Sequence, residues 1–551
     1  MPKVVDLIRQ GRTEECWQMC CGYLKMNLDQ FMDVQNRLMM GQIESLSKTP
    51  IGRKFMGKIK PDSVDEYRQT VPLTDYSSYL PELSERMEEL LPEKPVQWVH
   101  TSGKTGEYSC KWVPITNSFN QYFGPVLCGL GLIAASNKWA DTAPMIEYPN
   151  MMYTVAPRPY VSGAMASILM EQTPSRYYPS LSKAENLSFE ERIKLGFDEA
   201  LSGGIDFFFG LSLVLAKVGE SFEQSNGKTS IAPYLGRPRA LARLARGMLR
   251  SKLEKRSLLP KDLWNVKGII TSGLDSAVYR DKIKHYWGKY PLDIYSCTEG
   301  GVIATQTWDY EGMTFIPNLN FLEFIPEKEH MKWQSNHSYQ PKTVLLDEVK
   351  PGECYEIVIS SFHNGALMRY RIGDMVRITS LRNDNLGIDI PQMVFERRAD
   401  DLLDFNVIRL TEKSIWQAVE NTGVSYNDWV AYKTPGELEL NILIETVGNE
   451  ISEESLASMI QREIVSGDND KFTNSQSHQI VLDMLEIKTK VRILPAGSFA
   501  AYSSRKRAEG SDLAHLKPPH INPSGEVLSL LTAGAGISDR IPDTSRESIH
   551  V

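Results

Sequence analysis

The sequence predicts an α/β protein of at least two domains. At 551 residues, the chain exceeds the length at which a single hydrophobic core stops growing. Short apolar runs typical of strands alternate with longer segments in which apolar residues recur at helical spacing. The pattern changes near residues 400–404. We therefore predict a large, two-part N-terminal domain with mixed sheets over residues 1–404 and a small α+β domain over residues 405–551.

In the large domain, strands are expected at short runs rich in β-branched and aromatic residues. Their alternation with helices predicts mainly parallel pairing, with antiparallel hairpins over residues 313–379. Residues 4–46 show helical spacing, and the apolar runs Phe123–Ala135 and Phe207–Ala216 predict buried helices, since both are shorter than the ~20 residues of a membrane span. The predicted strands are Val96–Val99, Lys111–Ile115, Gly268–Thr271, Leu292–Tyr295, Met313–Pro317, Phe321–Ile325, Tyr355–Ser360 and Met375–Thr379.

The small domain is expected to combine two helices with three strands. Its last stretch, after Ser524, is rich in Ser, Gly and Thr, which predicts a flexible tail. The predicted elements are a helix over Glu412–Asn421, strands over Trp429–Tyr432 and Leu438–Glu445, a helix from Ser452 to about Val465, and a strand over Val491–Leu494.

Composition excludes several classes of function. Hydrophobic residues make up 42% and charged residues 24% of the chain, as in ordinary globular proteins, and the net charge of −8 argues against coating a nucleic acid. The seven cysteines are scattered through the chain, which favours a reducing compartment over a disulfide scaffold. The first residues lack the apolar core of a signal peptide. We expect a cytoplasmic protein with neither nucleic-acid nor membrane partners.

The stretch HTSGKTGEY, residues 100–108, contains the end of a phosphate-binding P-loop. The full motif needs a second glycine five positions before Gly103, and that position is Trp98. The loop still combines small residues with hydroxyls and Lys104, which together can hold phosphate oxygens. By itself the stretch is consistent with either a phosphate site or a plain hairpin loop.

Three further motifs follow at wide spacing. IYSCTEGG, residues 294–301, ends a predicted strand with an aromatic ring, a hydroxyl and a carboxylate in a row. MRYRIGDMVRI, residues 368–378, is followed by VFERRADDLLD, residues 394–404. HLKPPHI, residues 515–521, places one lysine before two prolines in the small domain. Each motif is weak alone, so their order along the chain carries the argument.

In this order and spacing, the four motifs resemble the acyl-adenylate-forming enzymes, and more closely the Gretchen Hagen family of acyl-acid amido synthetases. The resemblance extends from about Pro72 to His520. TSGKTGEYSCKWVPIT resembles the family's phosphate loop, although Lys104 stands where a hydroxyl residue is common. YSCTEG resembles its Tyr-x-x-[Ser/Thr]-Glu motif. The family's Lys-x-Pro-Arg near the C-terminus is here Lys517-Pro518-Pro519-His520, which departs at the last position.

The resemblance implies an ATP- and Mg²⁺-dependent ligase that adenylates a carboxylic acid and transfers the acyl group to an amine, foremost an amino acid, with release of AMP and pyrophosphate. That chemistry brings two anions together, so cations and N–H donors are required. Its partners would be small-molecule acids and amines. Two alternatives stay open: an acyl-CoA ligase with a thiol acceptor, and a catalytically silent nucleotide-binding protein of the same fold.

The resemblance also implies the roles of individual residues. Catalysis is expected from Lys517, which the small, mobile domain would bring to the α-phosphate, from Thr298 at the α-phosphate, and from Glu299 as the Mg²⁺ ligand. Asp400 and Asp401 would form the hinge of that motion. The expected nucleotide-binding residues are Ser102, Gly103, Lys104, Thr105 and Gly106 at the β- and γ-phosphates, Ser272, Gly273 and Tyr295 at the adenine, Asp374 at the ribose hydroxyls, and Phe395 and Arg398 at the adenine and ribose.

Overall fold

The structure, a computed structural model, divides into two compact units. Unit 1 contains the described residues up to Thr101 and from 111 to Glu396, and unit 2 contains those from Arg397 onward. The described residues are 2–58, 60–101, 111–224, 234–272, 276–399, 402–404, 409–434, 439–448, 451–466, 488–508 and 517–532. Within these ranges, no helix combines the length and the apolar character needed to cross a membrane.

Several helices of unit 1 begin at a residue whose side chain accepts a hydrogen bond from one of the first free backbone N–H groups. The Thr116 hydroxyl accepts from the Phe119 N–H, and Asn27 and Gln30 form a reciprocal capping box. The helices are α1 Val4–Arg9, α2 Thr13–Cys21, α3 Leu28–Ser47, α4 Pro50–Met56, α5 Val64–Thr70, α6 Asn117–Ala135, α7 Val161–Gln172, α8 Leu181–Ala184, α9 Phe189–Gly203, α10 Ser212–Gln224, α11 Pro238–Leu253, α12 Pro260–Leu263, α13 Ser276–Trp287 and α14 Glu327–Ser335.

The strands up to residue 398 are β1 Gln97–His100, β2 Trp112–Ile115, β3 Asn150–Tyr153, β4 Arg176–Tyr178, β5 Phe207–Leu211, β6 Gly268–Ser272, β7 Leu292–Cys297, β8 Gly301–Thr305, β9 Met313–Phe315, β10 Asn320–Pro326, β11 Cys354–Ser361, β12 Tyr370–Ser380 and β13 Gln392–Arg398. All lie in unit 1 except the last two residues of β13, which belong to unit 2. Strands β1 and β2 form a hairpin, and the others form an eleven-stranded sheet in the order β10-β11-β12-β13-β9-β8-β7-β6-β5-β3-β4. The predicted α/β class with mixed sheets is confirmed.

Strand β7 separates two kinds of pairing. From β7 through β6, β5 and β3 to β4 every pair is parallel, whereas β7 pairs antiparallel with β8 and β10 with β11. The prediction of mainly parallel pairing therefore holds on one side of β7. The antiparallel hairpins expected over residues 313–379 lie on the other side.

The prediction of a helix over Phe207–Ala216 is wrong for its first half. Residues 207–211 form β5, which pairs with β3 and β6, and helix α10 begins at Ser212. The side chain of Phe208 is fully buried. A parallel strand covered on both faces is an unbroken apolar run, and periodicity alone does not distinguish it from a buried helix. Strands β3, β4, β8 and β13 were missed as well.

Unit 2 has a three-stranded sheet with helices on both faces. Its elements are β14 Leu402–Asp404, β15 Arg409–Thr411, α15 Glu412–Asn421, β16 Tyr426–Lys433, β17 Glu439–Thr446, α16 Glu453–Ser466, β18 Lys488–Ile493, α17 Ser498–Ala508 and α18 Gly525–Thr532. Strands β16 and β17 are antiparallel, and β17 and β18 are parallel. Trp429 and Ala431 pack in the cluster that contains residues of α15 and α16, whereas Val430 between them packs with α17 and α18.

The prediction of a flexible tail after Ser524 is wrong for residues 525–532. They form helix α18, and its Val527, Leu528 and Leu531 are buried against Phe499 and Tyr502 of α17. The helix brings Val527, Leu528 and Leu531 to one face, because positions three and four apart are neighbours on a helix. Residues from 533 onward lie outside the described part of the chain.

Replacing a buried leucine of α18 tests this packing. Leu531→Ala should lower the free energy of unfolding by roughly 2–4 kcal/mol, because truncation of a buried leucine loses its transfer energy and leaves a cavity. Urea denaturation of the full chain measures the change. Ser529→Ala, on the exposed side of the same helix, should be nearly neutral. Equal small effects of both variants would show that α18 does not contribute to the folded core.

Candidate active site

The predicted site residues of unit 1 gather at one edge of the eleven-stranded sheet. Strands β5, β6 and β7 are parallel. The last residues of β5 and β6, Leu211 and Ser272, pair with each other, and Ser272 pairs with Ile294 within β7. Ligands of open α/β sheets bind at such carboxyl ends of parallel strands. Ser272, predicted at the adenine, lies at this edge. Gly273 and the loop residues Ser102, Gly103, Lys104, Thr105 and Gly106 lie outside the described residues.

Tyr295 and Asp374, from two distant motifs, are in direct contact. The Tyr295 hydroxyl donates a hydrogen bond of 2.8 Å to Oδ2 of Asp374, and both side chains are buried. The ring of Phe395 lies 6.1 Å from that of Tyr295, at an interplanar angle of 33°. Three residues expected around the adenosine therefore form one group. Arg398, also expected there, belongs to unit 2.

A bulge in β12 places Asp374 in this group. Arg371 pairs with Val358 and Met375 with Glu356, so three residues of β12 face a single residue of β11. Gly373 within the bulge has φ +79°, a backbone conformation that side chains with a Cβ rarely adopt. β-Bulges bend a strand and redirect its side chains, and they are frequent beside active sites. Gly373 in YRIGD thus allows the backbone conformation of the bulge, and the bulge places Asp374 beside Tyr295.

Glu299 follows β7 and is held by two residues that were not predicted. The Tyr370 hydroxyl donates a 3.1 Å hydrogen bond to Oε1 of Glu299, and Nζ of Lys111 lies 4.0 Å from the same oxygen. Lys111 Nζ also donates to the Tyr370 hydroxyl at 3.4 Å. Burial, together with the charge of Glu299, raises the pKa of Tyr370 well above its ordinary value, so the phenol stays protonated as a donor.

Both unpredicted residues were present in the motifs. Tyr370 stands within MRYRIGD, and Lys111 directly follows the phosphate loop at the start of a predicted strand. A lysine next to a phosphate loop is a candidate for the cation that such a site needs. Sequence reasoning assigned Lys111 only to a strand, because nothing in the chain order shows that Glu299 lies across from it.

Thr298 and Glu299 also line a small cavity with a mostly apolar wall. Helix α6 contributes Phe119 and Phe123 to this wall. Gly301 approaches both rings closely, since an added Cβ would lie 3.1 Å from Phe123 and 3.2 Å from Phe119. The other apolar lining residues are Val113, Ile115, Val161, Phe362, Ala366 and Leu367. The hydroxyl of Thr298 and the carboxylate of Glu299 therefore lie beside an apolar wall, with room between them for about one water molecule.

The electrostatics of this edge favour a bound cation. Burial and the negative charges of Glu299 and Asp374 raise the pKa of the Cys297 thiol well above its ordinary value. Among the described residues, no cluster of three or more His, Cys, Asp or Glu side chains could hold a metal by itself. Mg²⁺ is commonly bound by one or two carboxylates together with substrate phosphates. Glu299 fits that mode as a single protein ligand.

In unit 2, Lys517 has a largely exposed side chain whose Nζ lies 3.4 Å from Oδ2 of Asp428. Three residues later, His520 is hydrogen-bonded to Glu412 and Asp428 and stacked on Trp429. Lys517 is thus presented to solvent by a segment that is itself anchored. Asp400 and Asp401, predicted as a hinge, lie outside the described residues.

Two segments of the chain match models of one family. Residues 23–161 match the N-terminal domain of the GH3 family, the Gretchen Hagen family that the motifs resemble, and residues 313–398 match its central domain. The second match ends where β13 ends and includes the bulge at Asp374.

Several relatives with assigned activities are similar over part of the chain. The jasmonoyl-L-amino acid synthetase JAR4 of Nicotiana attenuata is 35% identical over 161 residues, which are 28% of this chain and 26% of the relative. The jasmonoyl-L-amino acid synthetase GH3.5 of Oryza sativa is 28% identical over 291 residues, 48% of this chain and 47% of the relative. The chain thus covers between about a quarter and a half of the length of these relatives.

Two solved structures share the fold over nearly the whole chain. One is the acyl acid amido synthetase AtGH3.15 in complex with 2,4-DB, with a TM-score of 0.63, 14% identity, and coverage of 93% of this chain and 95% of that one. The other is a 2-hydroxyisobutyryl-CoA ligase in the postadenylation state, with a TM-score of 0.57, 13% identity, and coverage of 92% and 93%. The fold is therefore one found in both amide-forming and thioester-forming ligases.

The bulge offers a test of the site's backbone. Gly373→Ala should destabilise the chain by about 1–2 kcal/mol, because a Cβ in the left-handed region clashes with its own backbone, while no other atom lies within 4 Å of the added carbon. Thermal unfolding measures the effect. Gly41→Ala, in an exposed position of α3 with equally open space, should instead stabilise the helix slightly. A neutral Gly373→Ala would show that the bulge relaxes freely.

Proposed function

On the premise that the chain carries the N-terminal and central domains of the GH3 family, we propose that it is an ATP-dependent ligase that adenylates a carboxylic acid and transfers the acyl group to an amine, foremost an amino acid. The relatives named as amino acid synthetases support the amine acceptor. The products of the first step are the acyl-adenylate and pyrophosphate. AMP is released when the amine attacks.

One observation carries this proposal. Two hydrogen bonds join residues that are far apart in the chain: Tyr295 and Asp374 are separated by 79 positions, and Glu299 and Tyr370 by 71. Both bonds lie at the edge where the parallel strands end. In the proposal, Tyr295 and Phe395 contact the adenine with Ser272 at its edge, and Asp374 accepts hydrogen bonds from the ribose hydroxyls. We also propose that residues 102–106 contact the β- and γ-phosphates, that Gly273 lies at the adenine, and that Arg398 contacts the adenine and ribose.

In the proposal, adenylation takes place at the residues around Glu299. Thr298 would donate to an α-phosphate oxygen, and the acyl group would lie along the apolar wall beside it, whose small cavity would have to widen to admit that group. Mg²⁺ bound at Glu299 would offset the charge that develops on the phosphates. Lys517 would stabilise the negative charge on the attacking carboxylate and the α-phosphate, as a preorganised cation does in a site shielded from water.

Two other outcomes are distinguishable by experiment. An acyl-CoA ligase shares the first step, and the fold likeness to a CoA ligase keeps that candidate open. Purified protein incubated with a panel of acids and ATP should exchange pyrophosphate, and the final product identified by mass with amino acids or with CoA decides the acceptor. Release of ADP would contradict adenylation. ATP binding with no pyrophosphate exchange across the panel would indicate a catalytically silent protein.

We also propose that the protein works in the cytoplasm. The described cysteines Cys16, Cys20, Cys21, Cys128 and Cys297 are free thiols, as is usual in a reducing compartment. Cell fractionation with detection of the native chain tests this, and recovery from a secreted or organelle fraction would contradict it.

Lys517→Ala tests the adenylation lysine. The variant should slow acyl-adenylate formation by on the order of 10²-fold, the scale of losing one preorganised donor, while ATP binding changes little. Pyrophosphate exchange and equilibrium dialysis with ATP measure the two quantities. Lys413→Ala, which removes another exposed lysine of unit 2, is the matched control and should keep the parent rate. An unchanged rate for Lys517→Ala would remove this lysine from the mechanism.

Glu299→Gln tests the metal ligand. The amide preserves the shape of the side chain but binds Mg²⁺ weakly, so adenylation should slow and the Mg²⁺ concentration for half-maximal rate should rise. Excess Mg²⁺ should relieve the defect in part, which it should not do for Lys517→Ala. Glu311→Gln, at an exposed position, is the control. A defect of Glu299→Gln that is independent of Mg²⁺ concentration would argue against metal binding there.

A further inference from the structure

His520 lies between two carboxylates and contacts both. Its Nδ1 is 2.6 Å from Oε1 of Glu412, and its Nε2 is 2.8 Å from Oδ1 of Asp428. An ionised carboxylate only accepts hydrogen bonds, so both ring nitrogens must donate, and only the protonated imidazolium does so. Burial acts to lower the pKa of His520, but the hydrogen bonds to Asp428 and Glu412 outweigh it and raise the pKa to about 9. The ring is therefore a cation at neutral pH.

The same residue attaches its segment to the edge of the small sheet. The Ala431 N–H donates to the His520 carbonyl oxygen at 2.6 Å, and the Asn522 N–H donates to the Ala431 carbonyl oxygen at 2.9 Å. The ring is stacked on Trp429, with centroids 4.5 Å apart and planes at 20°. A cation over an indole face adds electrostatic attraction to the stacking. The segment is thus held by backbone, ring and charge at this one position.

Asp428 connects His520 with Lys517. Its Oδ1 accepts from His520, while its Oδ2 lies 3.4 Å from the Lys517 Nζ. The carboxylate is buried, whereas 61% of the Lys517 side chain is exposed. Burial favours the neutral form of Asp428, but the hydrogen bond and charge of His520, followed by the charge of Lys517, lower its pKa. If His520 lost its proton, the charge of Asp428 would be balanced mainly by Lys517, which would hold the ammonium close to Asp428.

We propose that His520 is a positioning residue for adenylation. Its imidazolium fixes the segment that carries Lys517 and balances the negative charge of Asp428, so that the Lys517 ammonium stays available to the reacting phosphate. The inference rests on the proposed function, in which Lys517 meets that phosphate. The charged groups that face the ring are Glu412 from α15, Asp428 from β16 and Lys517 from its own segment.

The protonation state is tested without any catalytic assay. The NMR signal of the His520 ring, assigned by its loss in His520→Gln, should titrate near pH 9 in the full chain. Because the folded pKa lies above the ordinary value of 6.5, the stabilisation by His520 is complete below pH 6.5 and is lost as the pH rises through 9. The difference in melting temperature between parent and His520→Gln should shrink over that interval. A ring that titrates at or below pH 6.5 would overturn the proposal.

The positioning role is tested by pyrophosphate exchange with an accepted acid. His520→Gln should slow adenylation by about 10- to 100-fold at pH 7.5, the scale of a misplaced catalytic group, with ATP binding unchanged. His520→Arg, whose guanidinium can donate to both carboxylates at any working pH, should recover most of the rate. The parent rate should fall as the pH rises through 9, and His520→Arg should lack that fall. His337→Gln, an exposed histidine of unit 1, is the control.

Each outcome has a separate meaning. A parent protein that exchanges no pyrophosphate with any acid contradicts the proposed function, while the NMR titration still tests the charge of His520. A parent that exchanges, with His520→Gln at the same rate and with the same pH profile, overturns the positioning role. A folded His520→Gln that melts at a lower temperature but adenylates normally shows that the residue is only structural. Circular dichroism verifies folding of every variant.

Discussion

The hydrogen bond from Tyr295 to Asp374 is the contact on which the arrangement of the candidate site depends. It joins Tyr295 of β7, the residue after the last parallel pair, to the bulge of β12 on the antiparallel side of the sheet. Two halves of the sheet with different pairing are thereby connected at the edge where Ser272 and Phe395 also lie. A buried carboxylate requires hydrogen-bond partners, so the bond holds both side chains in place.

A second constraint is the distribution of charge. The chain carries a net charge of −8, and Glu299 and Asp374 create a negative region around Cys297. Lys111 and Tyr370 at Glu299 compensate part of this charge with a nearby ammonium and a protonated phenol. The proposed binding of a polyphosphate and a carboxylate would need such local cations, because the overall charge of the chain repels anions.

In unit 2, Lys517 lies on a short segment without helix or strand, and its side chain is exposed. Two prolines restrict the backbone after Lys517, and the buried Pro518 and Ile521 pin it at both sides of His520. The sheet edge at Ala431 and the carboxylates of Glu412 and Asp428 supply the remaining contacts. The exposed lysine side chain thus extends from an ordered segment, which would limit the conformational entropy lost if Lys517 bound the reacting phosphate as proposed.

By itself, the sequence determined the α/β class, most antiparallel strands after residue 313 and helix α15, because these features follow from local periodicity. It also determined the motifs that hold Tyr295, Thr298, Glu299, Asp374 and Lys517, because the motifs follow from residue order. It did not distinguish the buried strand β5 from a helix, nor did it reveal the packing of α18. Only the tertiary structure decided that Lys111 and Tyr370 meet at Glu299 and that His520 is protonated between Glu412 and Asp428. These contacts join residues far apart in the chain, and their energies depend on burial and on neighbouring charge, which no local pattern of residues encodes.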